Sequence, residues 1–265
     1  MIKAFRQLTK TYIQQHLAYR MRMLIWFIAD LSPFIIFPII WLSIYKQNTS
    51  IAGFDRTAII TYYLITAFIV QTCTSHVGGI FQRNIVQGKL NIHLVRPLSF
   101  ISFAFIHEFS YRLISFFPVT VLAIIIYIFF PDYFRLPSSP FTWILFALVC
   151  LIVLTMSHLL EMISGLTSFW FGENKALDNF IYFFYKVFSG AFAPLAFFPI
   201  VLQNIANCLP FKYLAYFPAQ IFLEQIHGYE LFYGLTLMIV WLLILALIVS
   251  FLWRRGLRQY DGSGI

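Results

Sequence analysis

Seven ionisable side chains sit in stretches of this sequence too apolar to hydrate them: Asp30, His107, Glu108, Arg112, His158, Glu161 and Lys186. Carboxylates beside histidines are the groups that acid–base chemistry uses, and ionisable groups at membrane depth are those that line polar pathways. Glu108 and Arg112 stand four residues apart, so on a helix they pair directly. Asp30 and Glu161 can then bracket Lys186 from neighbouring helices. At 1.5 Å per residue, Asp30, Glu108, Glu161 and Lys186 fall roughly 12–17 Å from the same end of their helices. Two readings stay open: a hydrated cavity lined by this belt, or buried ion pairs with a structural role alone. No motif turns the belt into an enzyme. There is no G-x-x-x-x-G-K-[ST] phosphate loop and no G-x-S-x-G elbow, and His158-Leu-Leu-Glu161 is not H-E-x-x-H. Cys73, Cys150 and Cys208 form no C-x-x-C pair, so neither a metal site nor a disulfide framework is expected.

The elements that position these groups must be membrane helices. Of 265 residues, 61% are apolar and 11% charged, and the mean hydropathy is +0.82. A soluble domain carries about 25% charged residues, so too little charge is present to coat a folded surface. This excludes a soluble enzyme, a disordered chain and an ordinary nucleic-acid-binding domain. The expected fold is all-α: a single polytopic membrane domain over residues 1–265 with six transmembrane helices. Gaps between charges place them near 22–45, 57–78, 99–130, 141–169, 178–202 and 231–253. The connections on one side hold twelve basic residues: Lys3, Arg6, Lys10, Arg20, Arg22, Arg83, Lys89, Arg96, Lys175, Arg254, Arg255 and Arg258. The other side holds four, Lys46, Arg56, Arg135 and Lys212, which predicts both termini in the cytoplasm. The net charge of +8 is therefore read as topology. The long basic stretch before Met23 predicts an uncleaved anchor rather than a removed signal.

Three segments are not plain spans. In residues 1–20, Ile2, Phe5, Leu8, Tyr12, Ile13 and Leu17 recur at helical spacing opposite Lys3, Arg6, Lys10 and Gln14, as in a helix lying at the interface. In the loop 79–97, Phe81, Ile85, Leu90 and Leu94 alternate with Arg83, Asn91 and Arg96. Gly88 is placed to end a helix, and Pro97 forces an extended residue before it. Apolar residues between basic ones suggest a surface for another protein. In residues 194–229, Pro194, Pro199, Pro210 and Pro218 forbid one straight helix and predict short segments that dip back into the outer leaflet.

Two stretches carry a resemblance. Gly88-Lys-Leu90-Asn-Ile-His-Leu94-Val-Arg96-Pro97-Leu98 is similar to the G-x-L-x-x-x-L-x-R-P-L pattern of one branch of the type-two ABC exporter permeases. Pro194-Leu-Ala-Phe-Phe-Pro199, followed by Leu209-Pro210-Phe211 and Pro218, resembles the region before that family's sixth span. The family often has an acidic residue where this chain has Asn91. The resemblance implies a multi-pass permease of the plasma (inner) membrane that is not itself catalytic and binds no cofactor. ATP and Mg would sit on a separate ATPase subunit. That subunit would dock on the coupling loop through Phe81, Arg83, Ile85, Gly88, Leu90, Asn91, Leu94 and Arg96, and on the N-terminal helix. A second permease chain, identical or different, would complete the pathway, and the cargo would be an amphipathic compound, drug, lipid or glycolipid. The alternatives are an ATP-independent carrier or channel, or a membrane-embedded enzyme using His107, Glu108, His158 or Glu161.

Overall fold

The structure, a computed structural model, describes residues 2–18, 21, 25, 28, 36–37, 39–45, 50–173 and 175–262. Helix α1 (Ile2–Ala18) follows the expected amphipathic pattern over its middle: Arg6, Lys10 and Gln14 are exposed and Leu8, Tyr12 and Ile13 half-buried, whereas Leu17 of the expected apolar face is exposed. The greater part of the predicted first crossing, Asp30 with it, lies outside the described residues. At its far end residues 39–44 are helical, and the Trp41 indole donates to Tyr63 Oη at 2.8 Å. A two-residue hairpin follows, β1 (Ser50–Ile51) against β2 (Phe54–Asp55), antiparallel with Ser50 opposite Asp55. Its turn needs positive φ at Ala52 and Gly53.

Asp55 caps α2 (Arg56–Cys73) by accepting from Ala58 N at 2.7 Å. The chain then breaks over residues 74–77 and resumes as α3 (Gly78–Val86). Gly88, at φ +67°, makes the left-handed stop its position predicts, and α4 (Leu90–Leu94) leads to α5 (Phe100–Phe129). Ser139 and Pro140 open α6 (Pro140–Leu166), which passes into the single turn α7 (Ser168–Phe171). Helix α8 (Lys175–Phe188) has 14 residues. Beyond it lie α9 (Ile200–Asn207), a 3₁₀ turn Pro210–Leu214, α10 (Tyr216–Phe222) and the long α11 (Gly228–Leu257).

Among the described residues four stretches are long and apolar enough to cross a membrane: Arg56–Val86, Phe100–Phe129, Pro140–Phe171 and Gly228–Leu257. The first is the central one, since 72% of its apolar window is buried against 17–33% for the others. The expected crossing 178–202 is not one helix: α8 stops at Phe188, having risen about 21 Å, short of a hydrocarbon core of about 30 Å. The stop comes at Gly190, whose φ of +81° no residue with a side chain adopts easily. Pro194 and Pro199 then precede a 3₁₀ turn and α9, Pro210 opens the next 3₁₀ turn, and Pro218 sits in the first turn of α10, all positions where a missing N–H is cheap.

Irregular backbone in so apolar a setting needs partners, and α2 supplies them. Tyr62 Oη donates to Gly190 O at 2.6 Å and Tyr63 Oη to Phe192 O at 3.1 Å. Tyr216 N donates to Ser189 O at 2.8 Å. These tyrosines, with Phe54, Tyr213 and Phe217, form the core at the end of the molecule where α2 begins, here called distal. A second core, Phe81, Phe100 and Phe169 with Trp253 packed on it, closes the proximal end, where α3 meets the loop.

A distal clamp joins α10 to α6. The Glu224 carboxylate accepts from Ser138 N at 3.1 Å, Ser138 Oγ at 2.7 Å, Ser139 N at 3.3 Å and Thr142 Oγ1 at 2.9 Å. It thereby satisfies N–H groups at the start of α6, where negative charge also suits the helix dipole. The Ser138 and Thr142 hydroxyls hold its pKa down to about 2. A carboxyl whose folded pKa is depressed stabilises fully above its unfolded value and loses that contribution as pH falls toward the folded one. Melting of the Glu224→Gln variant in detergent is therefore expected to lose part of the parent's decline between about pH 4.5 and 2. High salt shrinks the difference, because the clamp is near solvent. Parallel pH profiles for the two proteins would refute the clamp.

Candidate functional site

The break between α2 and α3 organises the buried polar residues. A helix end inside an apolar bundle leaves N–H and C=O groups that water cannot reach. Here each exposed donor has a side chain. Ser75 N donates to Ser157 Oγ at 2.7 Å, His76 N to Glu108 Oε1 at 3.2 Å, Val77 N to Ser75 Oγ at 3.4 Å and Gly78 N to Glu161 Oε2 at 3.2 Å. On the other side of the break, Arg112 Nη1 donates to Gln71 O at 2.9 Å. Two carboxylates thus face the N-terminus of α3 and a guanidinium the C-terminus of α2, the signs that the helix dipoles favour.

Glu108 and Arg112 are each 5% exposed. Glu108 Oε1 receives Arg112 Nε at 2.9 Å and Nη2 at 2.8 Å, the pairing their spacing predicts. Arg112 Nη2 also meets His76 Nδ1 at 2.7 Å. His158 lies 3.4 Å from Ser75 Oγ through its Nδ1, and its ring stands edge-on to Phe105. Four of the expected belt residues, Glu108, Arg112, His158 and Glu161, therefore converge on one backbone break from α5 and α6. The others do not join them. Lys186 is not bracketed by Glu161; its ammonium sits 5.1 Å from the centroid of the Tyr182 ring, the local partner a long side chain on α8 can reach. His107 faces the other way, its ring 4.8 Å from that of Tyr12 on α1. Asp30 is outside the described residues.

The convergence needs close approach. A Cβ on Gly165 of α6 would stand 2.6 Å from both Gly78 O and Phe81 Cβ. A Cβ on Gly78 would meet Glu161 Oε2 at 2.8 Å and Glu161 O at 2.9 Å. The crossing of α3 over α6 is a glycine contact, and it brings the Glu161 carboxylate onto Gly78 N. The carboxylates are occupied by backbone donors and a guanidinium, so the arrangement is built to hold and orient helices. Among the described residues no group of three or more His, Cys, Asp or Glu is disposed to hold a metal ion.

The expected docking segment 79–97, which takes in most of α3 and all of α4, divides by exposure. Phe81, Ile85 and Leu90 turn inward, Phe81 packing edge-on to Phe100 at 4.8 Å. Arg83, Asn91, Leu94 and Arg96 are exposed, and so are two apolar residues outside the expected set, Ile92 (53%) and Val95 (85%). Asn91 Nδ2 donates to Gly262 O at 3.2 Å, which lays the tail after α11 against α4.

The model of the family described as ABC-2 family transporter protein matches residues 31–264, a range that holds the helix break, its partners and this loop. The chain belongs to the ABC-2 transporter family. No curated protein matches it. An ABC-2 permease is a membrane transport component rather than a catalyst, and the buried carboxylates of this permease agree with that role, each committed to a helix end. The sequence singled out Glu108, Arg112, His158 and Glu161 but not Gln71, Ser75, His76, Ser157, Gly78 or Gly165. The available signal was the run Thr74-Ser75-His76 followed by Gly78-Gly79 inside an otherwise apolar stretch.

Proposed function

We propose that this permease is the membrane subunit of an ABC exporter, driven by a separate ATPase that binds ATP and Mg and docks on the loop 79–97 and on α1. The observation that carries the reading is the exposed apolar surface of Ile92, Leu94 and Val95, set between Lys89 and Arg96 on a short loop. Contiguous apolar side chains rimmed by charge mark a protein contact. The same reading includes a topology of six crossings, both termini in the cytoplasm, short outer-leaflet segments over 194–229, and residence in the plasma membrane. A second permease chain, the same or different, forms the pathway with this one, and the cargo is an amphipathic compound, drug, lipid or glycolipid.

The helix break gives that docking a mechanical output. Displacement of α4 passes through Gly88 into α3. Gly78 at the start of α3 is hydrogen-bonded to Glu161 on α6, and His76 in the break just before it to Glu108 on α5, so α3 cannot move without carrying those helices or exchanging those bonds. ATP-driven motion of the partner thereby reaches three membrane helices at one point. This chain supplies the lever and the walls; it performs no bond chemistry.

Affinity purification of the permease from its native host tests the docking. The parent chain is expected to retain an ATPase subunit, and the Ile92→Asp, Val95→Asp double variant to lose it while keeping its melting temperature. Absence of ATPase from the parent points to an ATP-independent carrier or channel instead, and full retention by the variant overturns docking through this loop.

A further inference from the structure

A cavity of about 730 Å³ opens at the distal end between the β1–β2 turn, the Pro210–Leu214 turn, α10 and the first turns of α11. It holds one side chain of each charge, Lys212 and Glu230. Lys212 Nζ is held by Asn207 Oδ1 at 2.6 Å, and Glu230 projects from the third position of α11. The two line the same cavity without pairing: the ion pairs within 4.0 Å among the described residues are Arg112–Glu108 and Lys175–Glu173. They nonetheless feel each other, since burial draws the Lys212 ammonium below the ordinary lysine value and the Glu230 carboxylate draws it back up. The wall between them is aromatic. Tyr229 and Tyr233 stack at 6.0 Å, and the Phe217 ring presses against Gly234, where a Cβ would come within 2.1 Å of it. Beneath, Gln220 is 6% exposed and its Oε1 has no hydrogen-bond partner among the described residues, a buried acceptor left for something else to satisfy.

Depth identifies the class of occupant. Tyr229, Phe232 and Tyr233 are exposed at the start of a 30-residue apolar helix, the arrangement of an aromatic belt at a membrane–water interface. The cavity mouth therefore stands at the level of lipid headgroups. An ammonium, a carboxylate and tyrosine faces in one cavity complement a molecule that carries both an anionic and an ammonium group. We propose that this cavity binds the headgroup of a zwitterionic phospholipid, with the phosphate on Lys212 and the ammonium between Glu230 and the rings of Tyr229 and Tyr233. The proposal requires only that the chain be membrane-embedded. It stands or falls independently of whether an ATPase docks on the loop.

Calorimetric titration of the purified full chain in detergent tests it with three probes. These are dihexanoyl-phosphatidylethanolamine, dihexanoyl-phosphatidylglycerol, which lacks the ammonium, and glycerophosphoethanolamine, which lacks the tails. The ethanolamine lipid is expected to bind about tenfold more tightly than the glycerol lipid, the worth of one charge-assisted contact. Glu230→Gln is expected to erase that preference by weakening the ethanolamine lipid alone, whereas Lys212→Gln weakens both lipids. Tyr229→Ala, at a residue 78% exposed, is expected to weaken the ethanolamine lipid and carries the test if a charge variant misfolds. Equal binding of the two lipids, or a preference untouched by Glu230→Gln and Tyr229→Ala, overturns the proposal. Binding of the tail-less headgroup as tight as that of the lipid overturns it also, in favour of a soluble zwitterion.

Discussion

Gly165→Ala is expected to destabilise this permease, although the same change in an unobstructed helix stabilises. Alanine exceeds glycine in helix propensity by about 1 kcal/mol. Against that stands the contact: the new methyl would lie 2.6 Å from the carbonyl oxygen of Gly78 and from Phe81 Cβ. Neither obstacle is the far end of a flexible chain, so relief requires α3 and α6 to separate. Overpacking of this kind costs about 1–3 kcal/mol and occasionally more, and two rigid obstacles put it at the upper end. The net expectation is a loss of about 2 kcal/mol for alanine and failure to fold for Gly165→Val. Gly79, one residue from the crossing, has open space where its Cβ would go, so Gly79→Ala is the control and is expected to be neutral or stabilising. Melting of the three proteins in one detergent decides the matter. A Gly165→Ala variant as stable as its parent would mean that the helices do not cross this closely.

The second large effect concerns Arg112. Its guanidinium serves Glu108 twice and Gln71 O once in a buried setting, and His76 once nearer the surface. Arg112→Met leaves Glu108 as a buried carboxylate facing only His76 N, and strips Gln71 O of its donor. Removing one partner of a buried pair costs about 3–5 kcal/mol, far above the net worth of the intact pair. Glu108→Gln is expected to cost less, about 1.5–3 kcal/mol, because the amide still accepts from His76 N while Arg112 keeps its other acceptors. The Glu108→Gln, Arg112→Met double variant should then lie above the sum of the single losses by up to about 3 kcal/mol, since no unpaired charge remains. Strict additivity in that cycle would show that the two side chains act separately.

The contrast between these residues shows what the sequence makes legible. Glu108 and Arg112 belong to one helix, so their spacing alone announces their contact. Glu161 stands on a different helix, and its partner is a backbone N–H that exists as a free donor only because α2 breaks at Thr74. Charge spacing gives no sign of that break, since residues 57–82 carry no charge and the expected span 57–78 runs straight through it. For Lys186, charge spacing suggests a place between Asp30 and Glu161; in the described residues α8 sets its ammonium over the ring of Tyr182 on the preceding turn. Proline positions marked the irregular distal region correctly, yet the tyrosines that satisfy its backbone come from α2, more than a hundred residues earlier. In the loop, alternation located the apolar residues but could not tell Phe81, Ile85 and Leu90, which pack inward, from Leu94, which does not.

The bond from Asn91 to Gly262 O has a practical side. At Gly262, φ is +78° and the backbone passes within 2.5 Å, measured from a would-be Cβ, of the Asn91 amide. Gly262 thus lies against the residue that precedes Ile92. Three residues can span at most about 10 Å, so a purification tag or fluorescent reporter fused after residue 265 shadows the very surface on which a partner would be sought. Such a fusion should retain its fold and lose its partner. The choice of which end to label therefore belongs to the design of any pull-down, and a rigid tag placed there would serve deliberately as a competitor.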